Sequence, residues 1–324
     1  MSPRFRVLLT DRAWPDTSLE QKVLEAAGAE IVEPSATDEA TLIAAVADVD
    51  AIATNWANIT EAVLRAATRC RIVARLGIGV DNIAIPTATE LRIPVTNVPD
   101  YCVSEVADHT IGLLMACARK IAFFHHRTKR GEYQLQAAGP MRRLSTQTLG
   151  LFGLGHIGSA VAARAKSLEL NVIAHTASGS DHGTGCRMVS FEELLANSDF
   201  VSLHAPLTDA TRQRFNAESL GRMKRTAHLI NTSRGGLVDE AALWTALQQG
   251  RLAGAALDVF DPEPPDLAQP LFQDERVIVT PHAAFVSEES LAQMRTQALE
   301  GIAAVLSGRR PQNVLNPQIY TAAE

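Results

Sequence analysis

Gly153-Leu154-Gly155-His156-Ile157-Gly158 follows the apolar run Thr148-Leu149-Gly150-Leu151-Phe152 and precedes a helical pattern over 157–168. Glycines spaced G-x-G-x-x-G between a strand and a helix restrict the fold more than any other stretch of the chain. The first permits a tight turn, the second lets a pyrophosphate approach the backbone, and the third lets helix and sheet pack closely. Amides at the start of the helix then face the phosphate oxygens. The spacing predicts a dinucleotide turn inside a parallel α/β sheet.

The rest of the chain repeats the alternation that such a sheet needs. Residues 5–9 form a short apolar run closed by Thr10-Asp11 and predict a buried strand. A helix over 19–27 closed by Gly28, a strand over 30–33, a helix over 38–46 and a strand over 51–54 follow; 62–67 and 72–75 continue the pattern. A second series opens near Pro99, with Ser104 as N-cap of one helix running to Phe124 and Gly131 as its stop. Strands are expected at 171–174, 200–203, 227–230, 255–259 and 277–279, and a last helix at 288–306. The tail, with Pro311 and Pro317, is expected to dock back on the first unit. The class is α/β, with two Rossmann-like or flavodoxin-like parallel-sheet domains and a cleft between them.

At 324 residues the chain has the length for two compact domains. Its 46% hydrophobic and 20% charged content is ordinary for a soluble globular protein. A formal net charge of -6 and a pI near 5.9 argue against a basic surface for nucleic acid. Cys70, Cys102, Cys117 and Cys186 form neither a CxxC pair nor a Cys/His spacing, so no metal site and no disulfide framework are expected. The apolar run after Met1-Ser2-Pro3-Arg4 is too short for a signal peptide. The most apolar helix candidate, 111–124, is interrupted by Arg119 and Lys120 and too short to span a bilayer. A cytoplasmic protein with no membrane partner is expected.

Three stretches late in the chain supply one chemical group each. Asn231-Thr232-Ser233-Arg234-Gly235-Gly236 carries an arginine, Asp261-Pro262-Glu263-Pro264-Pro265 a glutamate held between prolines, and Thr280-Pro281-His282-Ala283-Ala284 a histidine. Singly each is ordinary, because an arginine or glutamate in a loop usually just faces water. A fixed cation, a carboxylate and an imidazole downstream of a dinucleotide turn suit carbonyl reduction by a nicotinamide cofactor.

With the glycine turn, these stretches resemble the D-isomer-specific 2-hydroxyacid dehydrogenases. The resemblance covers nearly the whole chain. It runs through Arg75-Leu76-Gly77-Ile78-Gly79-Val80-Asp81-Asn82-Ile83, Asn97-Val98-Pro99, Val106-Ala107-Asp108-His109, Leu203-His204-Ala205-Pro206-Leu207-Thr208 and 231–240. Asp11-Arg12-Ala13-Trp14-Pro15-Asp16, Pro99-Asp100-Tyr101-Cys102 and Pro281-His282-Ala283-Ala284-Phe285 resemble the subgroup related to C-terminal-binding proteins. The resemblance implies an NAD(P)-dependent oxidoreductase interconverting a 2-keto acid and a D-2-hydroxy acid. Arg234 would clamp the substrate carboxylate and polarise its carbonyl, His282 would act as acid and base, and Glu263 would fix the imidazole tautomer.

Beyond the trio, the same resemblance gives the cofactor Gly153, Gly155, His156, Ile157 and Gly158 of the turn, then Thr176, His204, Pro206, Thr232 and Asp258. It gives the substrate the loops at Asn55, Trp56 and Leu76-Gly77-Ile78, with Tyr101 and Phe285 as candidates for the pocket wall. The substrate domain would be discontinuous, 1–99 plus 290–324, around a dinucleotide domain of 100–289. The helix between Ser104 and Arg130 would contribute to a homodimer. His109 is read as structural and the pair His125-His126 as surface.

Cofactor choice usually rests on an acidic residue ending the next strand, about twenty residues on. Here Asn171-Val172-Ile173-Ala174-His175-Thr176-Ala177-Ser178 places neutral Thr176 there. That removes the repulsion against a 2′-phosphate, which Thr176 or Ser178 can hydrogen-bond, yet the next arginine, Arg187, lies well beyond. The lean is slightly to NADP. A reading from another class, a nucleotide-sensing binding protein like the corepressors among the animal relatives of that subgroup, is compatible with the same trio. The lack of long disordered flanks and of a basic stretch favours the enzyme.

Overall fold

The computed structural model describes residues 4–321; Met1-Ser2-Pro3 of the N-terminal run and residues 322–324 of the expected substrate domain lie outside the described residues. The chain divides into two compact units. One takes the chain up to Tyr101 together with the stretch from Ser287 onward, and the other is Cys102–Val286.

In the first unit, β1 (Phe5–Leu9), α1 (Ser18–Glu25), β2 (Ala29–Val32), α2 (Glu39–Ala45), β3 (Ala51–Thr54), α3 (Glu61–Ala66), β4 (Val73–Arg75), α4 (Ile85–Glu90) and β5 (Val95–Thr96) alternate. The strands pair in parallel in the order β2-β1-β3-β4-β5, the flavodoxin-like arrangement. β3 and β4 are buried along their whole length, which is why they read as continuous apolar runs. Helices start where a side chain takes up a free amide: Asp38 accepts from Thr41 before α2, and Thr60 from Val63 before α3.

The second unit contains α5 (Val103–Ala118), α6 (Ile121–Lys129), β6 (Thr148–Phe152), α7 (His156–Ser167), β7 (Asn171–His175), β8 (Arg187–Met188) and α8 (Phe191–Asn197). It continues with β9 (Phe200–Leu203), α9 (Ala217–Arg222), β10 (His228–Asn231), α10 (Glu240–Gln248), β11 (Gly254–Leu257), α11 (Pro270–Gln273) and β12 (Val277–Val279). Its seven strands are parallel in the order β12-β11-β10-β9-β6-β7-β8. The order reverses between β6 and β9, and ligands of such sheets bind outside the carboxyl ends of the strands at that point. Alternate residues feed opposite faces: Leu229 and Ala255 pack with Phe215 and Leu243, Ile230 and Ala256 with Leu114 and Val161.

The single helix expected from Ser104 to Phe124 is two helices. Cys102 is the N-cap of α5, and Ser104 lies inside it, its hydroxyl accepting from Arg164 Nη2 at 2.9 Å. Lys120 adopts φ 55° and stops the helix, its ammonium donating to Nε2 of His228 at the start of β10 (3.0 Å). The break has a tertiary cause: the buried face of α5 ends there, and Ile121 is exposed. β8, α4 and the two-residue β5 had no periodic signal to announce them.

The chain then returns to the first unit through α12 (Glu288–Leu306), opened by a capping box of Ser287 and Ser290. Arg295 on α12 donates to both oxygens of the fully buried Glu20 on α1 (2.5 and 2.6 Å) and lies over the Trp14 ring. Further on, Val314 bridges Thr96 on the edge strand β5. Asn316, fully buried, accepts from the Val95 amide (2.9 Å) and donates to the Ile93 carbonyl (2.9 Å) and Thr89 Oγ1 (3.2 Å). Among the described residues no helix is long and apolar enough to cross a membrane. Asn316→Ala would strand the Val95 amide and the Ile93 carbonyl, so urea unfolding is expected to show a loss of about 2–4 kcal/mol. An unchanged midpoint would mean the tail is held some other way.

Candidate active site

The three glycines of the turn meet different surroundings. Gly153 has φ +100°, and a Cβ there would lie 2.6 Å from the backbone carbonyl carbon of His204. A Cβ on Gly158 would lie 2.5 Å from the Gly153 carbonyl oxygen, while one on Gly155 would meet nothing within 4 Å. Gly153 and Gly158 therefore close the turn on itself and on the loop after β9, and Gly155 borders open space. Gly155 is also the N-cap of α7, with no side-chain cap, and the next residue, His156, is exposed. The start of a helix with open space at Gly155 fits a pyrophosphate.

Other expected cofactor residues follow the strand ends around this turn. Thr176, just after β7, has its hydroxyl 3.4 Å from Ser178 Oγ and donates to the Ser180 carbonyl (3.2 Å). Arg187 is engaged with Glu193 at 3.2 Å. His204, after β9, pairs through Nε2 with Ser202 Oγ (2.9 Å), and burial pushes its imidazole down to about 4, so it is neutral at physiological pH. The Pro206 carbonyl accepts from Thr211 Oγ1. Thr232, after β10, is buried with its hydroxyl 2.9 Å from that of Thr110 on α5.

Asp258, directly after β11, is fully buried. Its carboxylate accepts from the amides of Ala283 (3.0 Å) and Ala284 (2.9 Å) and from the Thr280 hydroxyl, and its carbonyl accepts from the His282 amide (2.8 Å). Thr280 Oγ1 also lies 3.1 Å from His109 Nε2 on α5. These bonds hold His282 at φ 53°, a left-handed conformation that a non-glycine residue keeps only when its surroundings over-determine it.

From that position His282 Nδ1 meets Glu263 Oε2 at 2.7 Å, and Glu263 Oε1 accepts from the Phe260 amide at 2.8 Å. Partial burial pushes the Glu263 carboxyl up. The hydrogen bond and charge of His282, the Phe260 amide and the Arg234 charge outweigh it, leaving the group below its ordinary range. An ionised carboxylate only accepts, so Nδ1 carries the proton and Nε2 is left for a reacting group. The two side chains are 28% and 30% exposed, shielded yet reachable. The Phe285 ring stands edge-on to the imidazole, centroids 5.9 Å apart.

Arg234 leaves the end of β10, its carbonyl accepting from Asn231 Nδ2 (2.8 Å). Gly235 next to it is pressed onto the glutamate loop: a Cβ would lie 2.0 Å from the Phe260 carbonyl carbon and 2.6 Å from the Asp261 nitrogen. Arginine, glutamate and histidine thus follow the carboxyl ends of three adjacent strands, β10, β11 and β12.

The expected substrate residues lie in the first unit. Asn55 is buried and Trp56 is 43% exposed. The amides of Asn55, Trp56 and Ala57 all donate to the Asp11 carboxylate (3.1, 2.7 and 3.2 Å). Asp11 is a positioning residue that sequence reasoning missed, since nothing marks a carboxylate that binds a loop 44 residues later. In the second loop, Leu76 is fully buried, the Gly77 carbonyl accepts from the Val98 amide and the Ile78 carbonyl from Asn97 Nδ2 (2.7 Å). Tyr101 is buried, and His125 and His126 are exposed. Among the described residues no group of three or more His, Cys, Asp or Glu could hold a metal ion, and the four cysteines are buried and outside any disulfide.

The profile of the family "D-isomer specific 2-hydroxyacid dehydrogenase, NAD binding domain" matches residues 111–284. The chain is 40% identical over 286 residues to a glyoxylate reductase of Korarchaeum cryptofilum, covering 86% of each. Among solved structures it is similar to the NADPH-dependent glyoxylate/hydroxypyruvate reductase of Sinorhizobium meliloti in complex with NADP and malonate. That likeness has 32% identity and a TM-score of 0.85 over 96% of this chain and 97% of that one. It is also similar to the D-lactate dehydrogenase of Aquifex aeolicus complexed with NAD and lactic acid (27% identity, TM-score 0.85, 97% of each chain). With a family profile over more than half its length and a relative of that identity over most of both sequences, the chain belongs to the D-isomer specific 2-hydroxyacid dehydrogenase family.

Proposed function

We propose that the chain interconverts a small 2-keto acid and a D-2-hydroxy acid with NADH or NADPH. The observation that carries this reading is the His282–Glu263 pair at 2.7 Å, with Arg234 close enough to act on the same carboxylate. Residues 100–289 hold the dinucleotide, through the glycine turn with His156 and Ile157 and through Thr176, His204, Pro206, Thr232 and Asp258. Residues 1–99 and 290–324 supply the substrate loops at Asn55, Trp56, Leu76, Gly77 and Ile78. A nicotinamide cofactor in this cradle supplies the hydride in reduction and takes it up in oxidation.

The planar guanidinium of Arg234 binds the substrate carboxylate and draws electron density from the adjacent carbonyl. His282 Nε2 gives its proton to the alkoxide as it forms, and removes the hydroxyl proton in the reverse direction. Glu263 keeps Nδ1 protonated and stabilises the imidazolium that oxidation creates. The named relatives are enzymes, so a nucleotide-sensing binding protein is the less favoured reading. The motifs at 11–16, 99–102 and 281–285 support a position near the C-terminal-binding proteins within the family. Exposed apolar side chains after α5, Tyr133 at 94% and Leu135 at 74%, support a homodimer through the α5–α6 region. Four buried cysteines outside any disulfide support a reducing, cytoplasmic setting.

His282→Ala is expected to lower kcat by ~10²–10⁴-fold with NADH binding nearly unchanged. The readout is NAD(P)H oxidation against glyoxylate, hydroxypyruvate, pyruvate and longer 2-keto acids; silence of the unmodified protein across that panel would favour the binding role. For the cofactor, the hydroxyls of Thr176 and Ser178 support a KM for NADPH no higher than that for NADH. With Arg187 committed to Glu193, the margin is small, and a strong preference for NADH would overturn the lean.

A further inference from the structure

The two substrate loops of the first unit, 55–57 and 76–78, follow adjacent parallel strands, β3 and β4. Loops at strand ends are the mobile parts of a sheet domain, so their spacing has to be fixed by other groups. Two side chains given no role above join them.

Arg75, the last residue of β4, is only 9% exposed. Its Nη1 donates to Asn55 Oδ1 (3.2 Å) in the first loop and to the Leu76 carbonyl in the second. The second loop is shaped to admit the guanidinium: Gly77 has φ +149°, and a Cβ there would lie 3.0 Å from Arg75 Cζ. Asn82, beyond the second loop, donates through Nδ2 to the carbonyls of Asn55 (3.2 Å) and Ala57 (2.9 Å), and its own carbonyl accepts from the Ile59 amide (2.8 Å). Asp11, which takes the amides of residues 55–57, follows β1, on the other side of β3 from β4. The first loop is therefore gripped from both neighbouring strands, through its amides on one side and its carbonyls and the Asn55 carboxamide on the other. Of its three residues only Trp56 is exposed.

Resting on the 2-keto acid reduction put forward above, we propose that Arg75 and Asn82 are positioning residues that fasten the two loops into one preset surface for the substrate. Both act through the loops. Removing the guanidinium leaves Asn55 Oδ1 and the Leu76 carbonyl without that donor, and removing the Asn82 carboxamide does the same to two carbonyls of the first loop. The loops then move independently, and part of the substrate's binding energy is consumed in restoring their arrangement. Once substrate is bound the geometry is the same, so KM changes and kcat does not.

Steady-state kinetics with the 2-keto acid that the parent reduces best, beside hydrogen–deuterium exchange of the full chain, test this in Arg75→Met, Asn82→Ala and the double variant. Each single variant is expected to raise the keto-acid KM ~10-fold or more, with kcat and the NADPH KM within ~2-fold of the parent. Both release the same loops, so the KM rise in the double variant should fall short of the product of the two single effects. Exchange should quicken in 55–57 and 76–78 together and stay as in the parent across 148–175, in the other unit. An unchanged KM, a loss of kcat at constant KM, KM effects that multiply, or exchange that quickens in one loop alone would each overturn the proposal. Should Arg75→Met not fold, Asn82→Ala, at a half-buried position, carries the kinetics and the exchange by itself. If the parent reduces no 2-keto acid, the proposed function fails, and exchange still decides whether the two residues fasten the loops.

Discussion

The carboxylate of Asp258 is the constraint on which the sheet edge carrying Arg234, Glu263 and His282 depends. A fully buried charge is costly unless hydrogen bonds meet it, and here the donors are the Ala283 and Ala284 amides and the Thr280 hydroxyl. Those residues flank His282, so the charge stays buried only while residues 280–284 keep one shape. That shape forces His282 into a left-handed conformation and directs its ring to Glu263. The imidazole is thus aimed by a group its side chain does not contact.

Two further loops follow the same principle of being held from outside. Gly235 allows the backbone after Arg234 to press against Phe260 and Asp261, so the arginine and glutamate loops keep a fixed spacing. Asp11 gathers three successive amides of the Asn55–Ala57 loop in the first unit. In each case the loop is held by a group from a distant part of the sequence.

That distance explains what could be read beforehand. Buried parallel strands are continuous apolar runs, so β3 and β9 stand in the sequence from end to end, as does α12 behind its Ser287 cap. The glycine turn was legible because its strand–turn–helix context is local. The break at Lys120 was not, because its partner, His228, is 108 residues away. Ser104 offered a good cap residue, but its hydroxyl is taken by Arg164, again a tertiary contact. The trio could be named from its order; Asp258 and Asp11 as supports could not, since no pattern distinguishes a carboxylate facing water from one facing amides. Thr176 marks a different limit: the strand end was located, and the residue there is chemically neutral between the two cofactors.

The first unit is built from two separated stretches, and the second is one uninterrupted segment. During synthesis the second unit is therefore complete before α12 exists. Until then Glu20 lacks the cation that neutralises it, and β5 remains an open sheet edge without Val314 and Asn316. The nascent chain must carry a finished inner domain while the outer one waits with an uncovered edge, the state in which a newly made chain is most exposed to mispairing. Loss of the last few dozen residues would therefore do its harm in the amino-terminal half of the protein, far away in sequence and adjacent in space.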